Sequence, residues 1–163
     1  MGALSQFGTY AQALLTMFVD ALTTLGVDLP ESQYVSAGQV AWDGPSMTIE
    51  LGTITQGQPG RPVGDTFQPA SVTITQAQFF VQIIRETSAL SGEGWAVNMV
   101  PDSEQLGDEG TTALDDAGAL VKAAIAVHAA IGQGKGFVID SCSPLGPQGG
   151  LSAMRLSITV SLD

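Results

Sequence analysis

Met47-Thr48-Ile49-Glu50-Leu51 alternates apolar and polar side chains, the two-residue period of a strand with one buried face. Val72-Thr73-Ile74 resumes that alternation, and Phe79-Phe80-Val81-Gln82-Ile83 carries it on. These runs make a β-hairpin. Between its arms lies Gln56-Gly-Gln-Pro59-Gly-Arg61-Pro-Val-Gly-Asp-Thr-Phe67-Gln-Pro69. A turn between paired strands needs only about two to five residues. A far longer loop, at about 56–70, is expected to touch something else, with Pro59, Arg61 and Phe67 as its candidate contacts. Val72 and Ile74 sit at even positions but Phe79, Val81 and Ile83 at odd ones, a change of phase that places a β-bulge near Gln76-Ala77-Gln78.

Upstream, Leu4, Phe7, Ala11, Leu14, Phe18, Leu22 and Leu25 recur at three- and four-residue steps and predict an amphipathic helix over 4–25, closed by Gly26. Tyr10 and Met17 form a second apolar edge beside a single charge, Asp20, so this helix is expected to be covered on more than one side. Tyr10 and Met17 are therefore candidate subunit contacts. Val35 to Trp42 predicts a strand, and Asp43-Gly44-Pro45 turns the chain into the hairpin.

Downstream, residues 87–110 read as an irregular acidic loop carrying Glu93, Asp102, Glu104, Asp108 and Glu109. Thr112-Ala-Leu-Asp115 has the form of a capping box and predicts a helix to about Ile131 that buries Leu114, Ala117, Val121, Ile125 and His128. Phe137-Val-Ile139 predicts a short strand, and Ser143 to Gly150 a wide turn. In the last strand Met154, Leu156, Ile158, Val160 and Leu162 alternate with Arg155, Ser157, Thr159 and Ser161. Helix, strand, hairpin, helix and two strands combine most simply as an α+β domain: a mostly antiparallel sheet with a long hairpin and two packed helices. No repeat or linker divides residues 1–163, so a single domain is expected.

Composition narrows the function. Only 13% of the 163 residues are charged, against about 25% in ordinary domains, and a surface so poor in charge is expected to be partly covered by copies of itself. Five Lys and Arg against sixteen Asp and Glu give a net charge of −11, which excludes a binder of nucleic-acid phosphates but not a wall past which DNA slides. No cationic region precedes the first apolar stretch, so no signal peptide is expected there, and no run of about 18 apolar residues predicts a membrane span. Cys142 has no partner for an internal disulfide and reads as a buried, inert thiol.

Catalytic chemistry finds no anchor. His128, the only histidine, falls on the predicted buried face of a helix and reads as a core residue. Asp115 and Asp116 point about 100° apart and favour a helix N-terminus better than they converge on a substrate. Gly132-Gln-Gly134-Lys135-Gly136 lies between a helix and a strand, the reverse of a phosphate loop, and 102–108 lacks the spacing of a calcium loop. No catalytic, cofactor or metal residue is assigned, and the chain is not expected to be an enzyme.

Three segments carry a family resemblance: Val35-Ser-Ala-Gly38-Gln-Val-Ala-Trp42-Asp43; Glu50-Leu-Gly52 leading to Gly57-Gln-Pro59-Gly60; and Ser143-Pro-Leu-Gly146-Pro147-Gln-Gly149-Gly150-Leu151. With these in order over residues 5–162, the sequence resembles the tail terminator proteins of long-tailed phages that infect actinobacteria. The resemblance implies a homo-oligomeric ring, a hexamer, that caps the finished tail tube and docks to the head-side connector or stopper protein. It implies a virion protein of the tail and neck, assembled in the host cytoplasm. DNA would pass through the channel without specific binding, and Glu93, Asp102, Glu104, Asp108 and Glu109 are expected to line that channel. A head–tail stopper or other neck connector is the nearest alternative, and a small acidic ligand-binding or hydrolase domain a more distant one.

Overall fold

The computed structural model describes residues 4–57, 74–87, 103–131 and 136–161. Seven elements follow in the order α1 (Leu4–Thr24), β1 (Gln33–Ser36), β2 (Ser46–Gly57), β3 (Ile74–Glu86), α2 (Ser103–Ile131), β4 (Phe137–Gln148) and β5 (Leu151–Ser161). The strands form one sheet in the order β1-β2-β3-β5-β4. Every neighbouring pair is antiparallel except β1–β2, which is parallel. Both helices pack on one face, so the α+β architecture is the one the sequence predicts.

Period-2 patterning builds that core. Met47, Ile49, Phe79, Val81, Ile83, Leu156, Ile158 and Val160 all point to the helix side and are 1% exposed or less. From α1 they meet Ala11, Leu14, Leu15, Phe18 and Leu22, the predicted stripe with Leu15 added. Burying each of the larger side chains is worth about 1.5–3 kcal/mol before the entropy of ordering it. The helix ends where expected. Gly26 takes φ 79°, its N–H donates to Thr23 O at 3.0 Å and Val27 N–H donates to Leu22 O at 3.0 Å, leaving Leu25 46% exposed beyond the turn.

The bulge lies elsewhere than its predicted place. Leu51 pairs with Phe79 and Ile54 with Ala77, so the extra residue belongs to β2, opposite Gln78. Strand β3 keeps one phase, with Ala77, Phe79, Val81 and Ile83 buried on one face. The predicted strand Val35–Trp42 also divides. Residues 33–36 pair parallel to β2, whereas Val40 and Trp42 cross to the helix-free face and pack on Ile84, Leu151 and Ala153. That second small core draws residues 37–45 off the sheet edge.

Helix α2 starts nine residues before the predicted capping box, and its buried face is not the predicted one. Thr112 is interior, its Oγ1 donating to Asp108 O at 3.0 Å, as Thr111 Oγ1 does to Gly107 O at 3.0 Å. The helix buries Asp116, Leu120, Ala123, Ala124 and Val127, while Leu114 is 74% and Ile125 58% exposed. Alanines on the inner face let the helix come close to α1 and the sheet, which larger side chains would prevent. Ala117, Val121 and His128 are half-buried, and the His128 ring lies 5.5 Å from that of Phe137. Strand β4 is far longer than Phe137–Ile139. It runs through the predicted wide turn to Gln148, and Gly149 and Gly150, with φ 59° and 77°, make a two-residue hairpin turn to Leu151. Positive φ at both central residues is what such a turn requires.

Candidate functional site

Three surface features converge on the sheet and its second helix. The first follows from the bulge in β2. A Cβ on Gly52 would lie 2.7 Å from Phe80 Cε2, so the glycine leaves room for the Phe80 ring on the helix-free face. The Arg155 guanidinium lies over that ring, 4.4 Å from its centroid. Arg155 Nη2 is 3.5 Å from Glu50 Oε2, which also accepts from Gln82 Nε2 at 2.8 Å and from Val40 N–H at 3.5 Å. Glu50 and Gln82 are buried, and Gln82 Oε1 and Thr48 Oγ1 are enclosed without a hydrogen-bond partner among the described residues. Further along the same face, Asp140 Oδ2 accepts from Thr159 Oγ1 at 2.8 Å and Ser157 Oγ at 3.2 Å, and Ser157 accepts from Gln78 Nε2 at 3.0 Å. The helix-free face is thus a hydrogen-bonded polar sheet surface. Its paired groups hold one another in place.

The second feature joins α2 to β3. Arg85 Nε and Nη2 donate to the two carboxylate oxygens of Asp116 at 2.6 and 2.8 Å. The Asp116 side chain is 7% exposed and that of Arg85 27%. Hydrogen bonding to Asp116 pushes the Arg85 pKa up, against the opposing effect of burial. Beside this pair, a cavity of about 460 Å³ opens between the N-terminal half of α2 and the end of the sheet where Glu86 pairs with Leu151. Leu106, Leu145, Pro147 and Met154 form its apolar lining, and Glu86 and Asp108 stand at its rim.

The third is the outward stripe of α2. Gly107, Gly110, Leu114, Gly118 and Ile125 are exposed on one side, separated by about four- or seven-residue steps. The stripe carries no charge itself, and Glu104 and Lys122, about 60° round the helix from Ile125, with Asp108 and Asp115 farther round, flank it along one edge.

The sequence-predicted contact residues separate accordingly. Tyr10 and Met17 are half-buried against the core. The Tyr10 ring stacks on Phe79 at 5.9 Å, its hydroxyl is enclosed without a partner among the described residues, and burial pushes its pKa up. Glu104 and Asp108 are exposed on the first turns of α2, a region expected as a loop, and Glu109 is half-buried. Asp108 and Glu109 line the cavity. Pro59, Arg61, Phe67, Glu93 and Asp102 lie outside the described residues. Cys142 is half-buried rather than buried, and its thiol pKa is pushed up by desolvation.

Sequence reasoning missed Arg85–Asp116 and Glu50–Arg155. Their signal was present: Arg85 continues the inward phase of Phe79, Val81 and Ile83, Glu50 and Arg155 are charges at outward positions of apolar strands, and Asp116 lies on a helix otherwise rich in Ala. Among the described residues no group of three His, Cys, Asp or Glu comes together as a metal site, and no described helix is long and apolar enough to cross a membrane.

No family model matches the chain, and no curated protein matches it. Among solved structures it is similar to a chain described as "Virion of native gene transfer agent (GTA) particle". The two are 12% identical, with 92% of each chain covered and a TM-score of 0.36.

Proposed function

We propose that this chain is a structural protein of a phage-like virion, a tail terminator whose copies form a ring that caps the tail tube and meets the head-side connector. The outward stripe of α2 carries this reading. A lone exposed leucine is ordinary, but Leu114 and Ile125 stand on one side of α2, about 16 Å apart along its axis, with charge only at the flank, in a chain with a net charge of −11. A second copy covers such a stripe without burying unpaired carboxylates. The segments that resemble tail terminators support the same reading, and head-to-tail contacts that close on themselves give a ring. Glu104, with Glu93 and Asp102, would face the channel, where carboxylates repel DNA and leave it mobile. Asp108 and Glu109 serve the cavity instead.

Light scattering on the purified chain tests the proposal. Six copies of the 16.7-kDa chain give a particle of about 100 kDa. The double variant Leu114→Glu, Ile125→Glu is expected to fall to single-chain mass with its far-UV circular dichroism unchanged. A wild-type mass of one chain at every concentration up to saturation would refute the ring. In an image reconstruction of the ring, Glu104 pointing outward would refute the channel assignment.

A further inference from the structure

We propose that the cavity beside α2 receives the Arg61-Pro62-Val63 segment of a second copy, so that the long hairpin loop of one subunit plugs into the next. This rests on the ring reading and gives it a specific joint. The cavity, about 460 Å³, is of the size that takes two or three side chains rather than a bulk surface. Its lining is apolar (Leu106, Leu145, Pro147 and Met154), while Glu86 and Asp108 at the rim are negative. A fitting occupant therefore carries an apolar, extended stretch next to a cation. Cations are scarce in this chain, five in all. Arg85 and Arg155 are already paired to Asp116 and Glu50 within the subunit. Lys122 lies inside α2, and Lys135 stands between two glycines. Residues 88–102, which adjoin the lining at Thr87, hold no cation. Arg61 is followed at once by Pro62 and Val63, a proline-stiffened apolar stretch of the required chemistry.

Distance excludes the subunit's own loop. The loop leaves β2 at Gly57 and re-enters β3 at Ile74, which pair with each other at one end of the sheet. The cavity lies at the other end, beside Ile83 and Glu86. From Ile74 to Ile83 the strand runs about 30 Å, at roughly 3.3 Å per residue. Arg61 follows Gly57 so closely that full extension carries its backbone only about 14 Å from the sheet end. Arg61 and the cavity rim are thus opposite in charge, and the loop's anchors, Gly57 and Ile74, lie at the far end of the sheet from the cavity. Two such surfaces on one molecule make a heterologous, head-to-tail contact, the kind that closes into a ring.

Fluorescence anisotropy with a fluorescein-labelled synthetic peptide of residues 56–70, titrated with the full-length chain carrying Leu114→Glu and Ile125→Glu, tests this. Both changes lie outside the cavity lining and leave no ring neighbour to fill it, and the chain variants below are made in that background. The wild-type peptide is expected to bind, and the Arg61→Glu peptide to bind on the order of tenfold more weakly, since two rim charge pairs are lost. A Glu86→Lys, Asp108→Lys chain, altered only at exposed positions, should reverse the preference and favour the Arg61→Glu peptide. Asp20→Asn, a charge change on α1 outside the cavity lining, should leave each affinity unchanged and so exclude attraction to net charge. No binding up to about 1 mM, equal binding of the two peptides, or an unreversed preference overturns the proposal. Light scattering on the wild-type chain separates this from the ring: a single-chain mass together with selective peptide binding refutes the ring and keeps the joint.

Discussion

Breaking the Arg85–Asp116 pair from its two sides should cost different amounts, because the two partners are buried to different depths. In Arg85→Met the Asp116 carboxylate loses both of its donors, at 2.6 and 2.8 Å, while its side chain stays 7% exposed. A buried carboxylate stranded in this way costs about 3–5 kcal/mol. In Asp116→Leu the guanidinium, 27% exposed and bordering the cavity, can turn toward water. That loss is closer to about 1–3 kcal/mol. The double variant Arg85→Met, Asp116→Leu removes both charges, fills the space with apolar atoms and should return most of the stability. With the double variant near the wild type, the coupling energy of the cycle is then about 3 kcal/mol or more. Urea unfolding followed by circular dichroism at one fixed protein concentration measures it, the concentration being held because assembly adds to apparent stability. With a denaturant slope of about 1–3 kcal/mol per molar, the Arg85→Met midpoint should drop by at least about 1 M. Equal losses for the two single variants, or a double variant that costs their sum, would refute the reasoning.

Three further outcomes are expected. Gly52→Ala drives a methyl group into Phe80, whose ring carbon lies 2.7 Å from the new Cβ. Thermal unfolding should show a loss of about 1–3 kcal/mol, whereas the same change at Gly118, where no atom lies within 4 Å, should be neutral or stabilising. Tyr10, its pKa raised by desolvation from 10.0, should give a late phase in an alkaline absorbance titration. Because the folded value lies above the unfolded one, its contribution to stability is full below pH 10 and lost as the pH rises through the folded value. Tyr10→Phe should abolish the late phase, and one phase in the wild type would refute this. Deleting residues 58–66 and closing β2 to β3 with a short turn should leave the circular dichroism unchanged but abolish head-to-tail joining, and normal joining by the deletion variant would sink the contact role of the loop.

Local periodicity by itself determined the parts of this protein that have one dry face and one wet one. The alternation in β2, β3 and β5 announced the sheet, the three- and four-residue steps in α1 its buried stripe, and Gly26 its end. Periodicity failed where the pattern is not two-sided. In α2, Ala, Gly and larger apolar residues surround the axis, so several faces look equally dry, and only close packing against α1 and the sheet selects the alanine side. That selection leaves Leu114 and Ile125 outward. In β4, Ser143 to Gln148 has no apolar alternation at all, and the strand exists because β5 offers it a hydrogen-bonding edge. The parallel direction of β1 depends on Val40 and Trp42 finding Ile84 and Leu151 across the sheet. The Arg85–Asp116 pair, and the placing of the cavity at the end of the sheet away from the Gly57–Ile74 pair, are likewise products of strand order and register. A sequence window of one helix or strand holds no information about either, because the groups that meet are about thirty or more residues apart and brought together only by the fold.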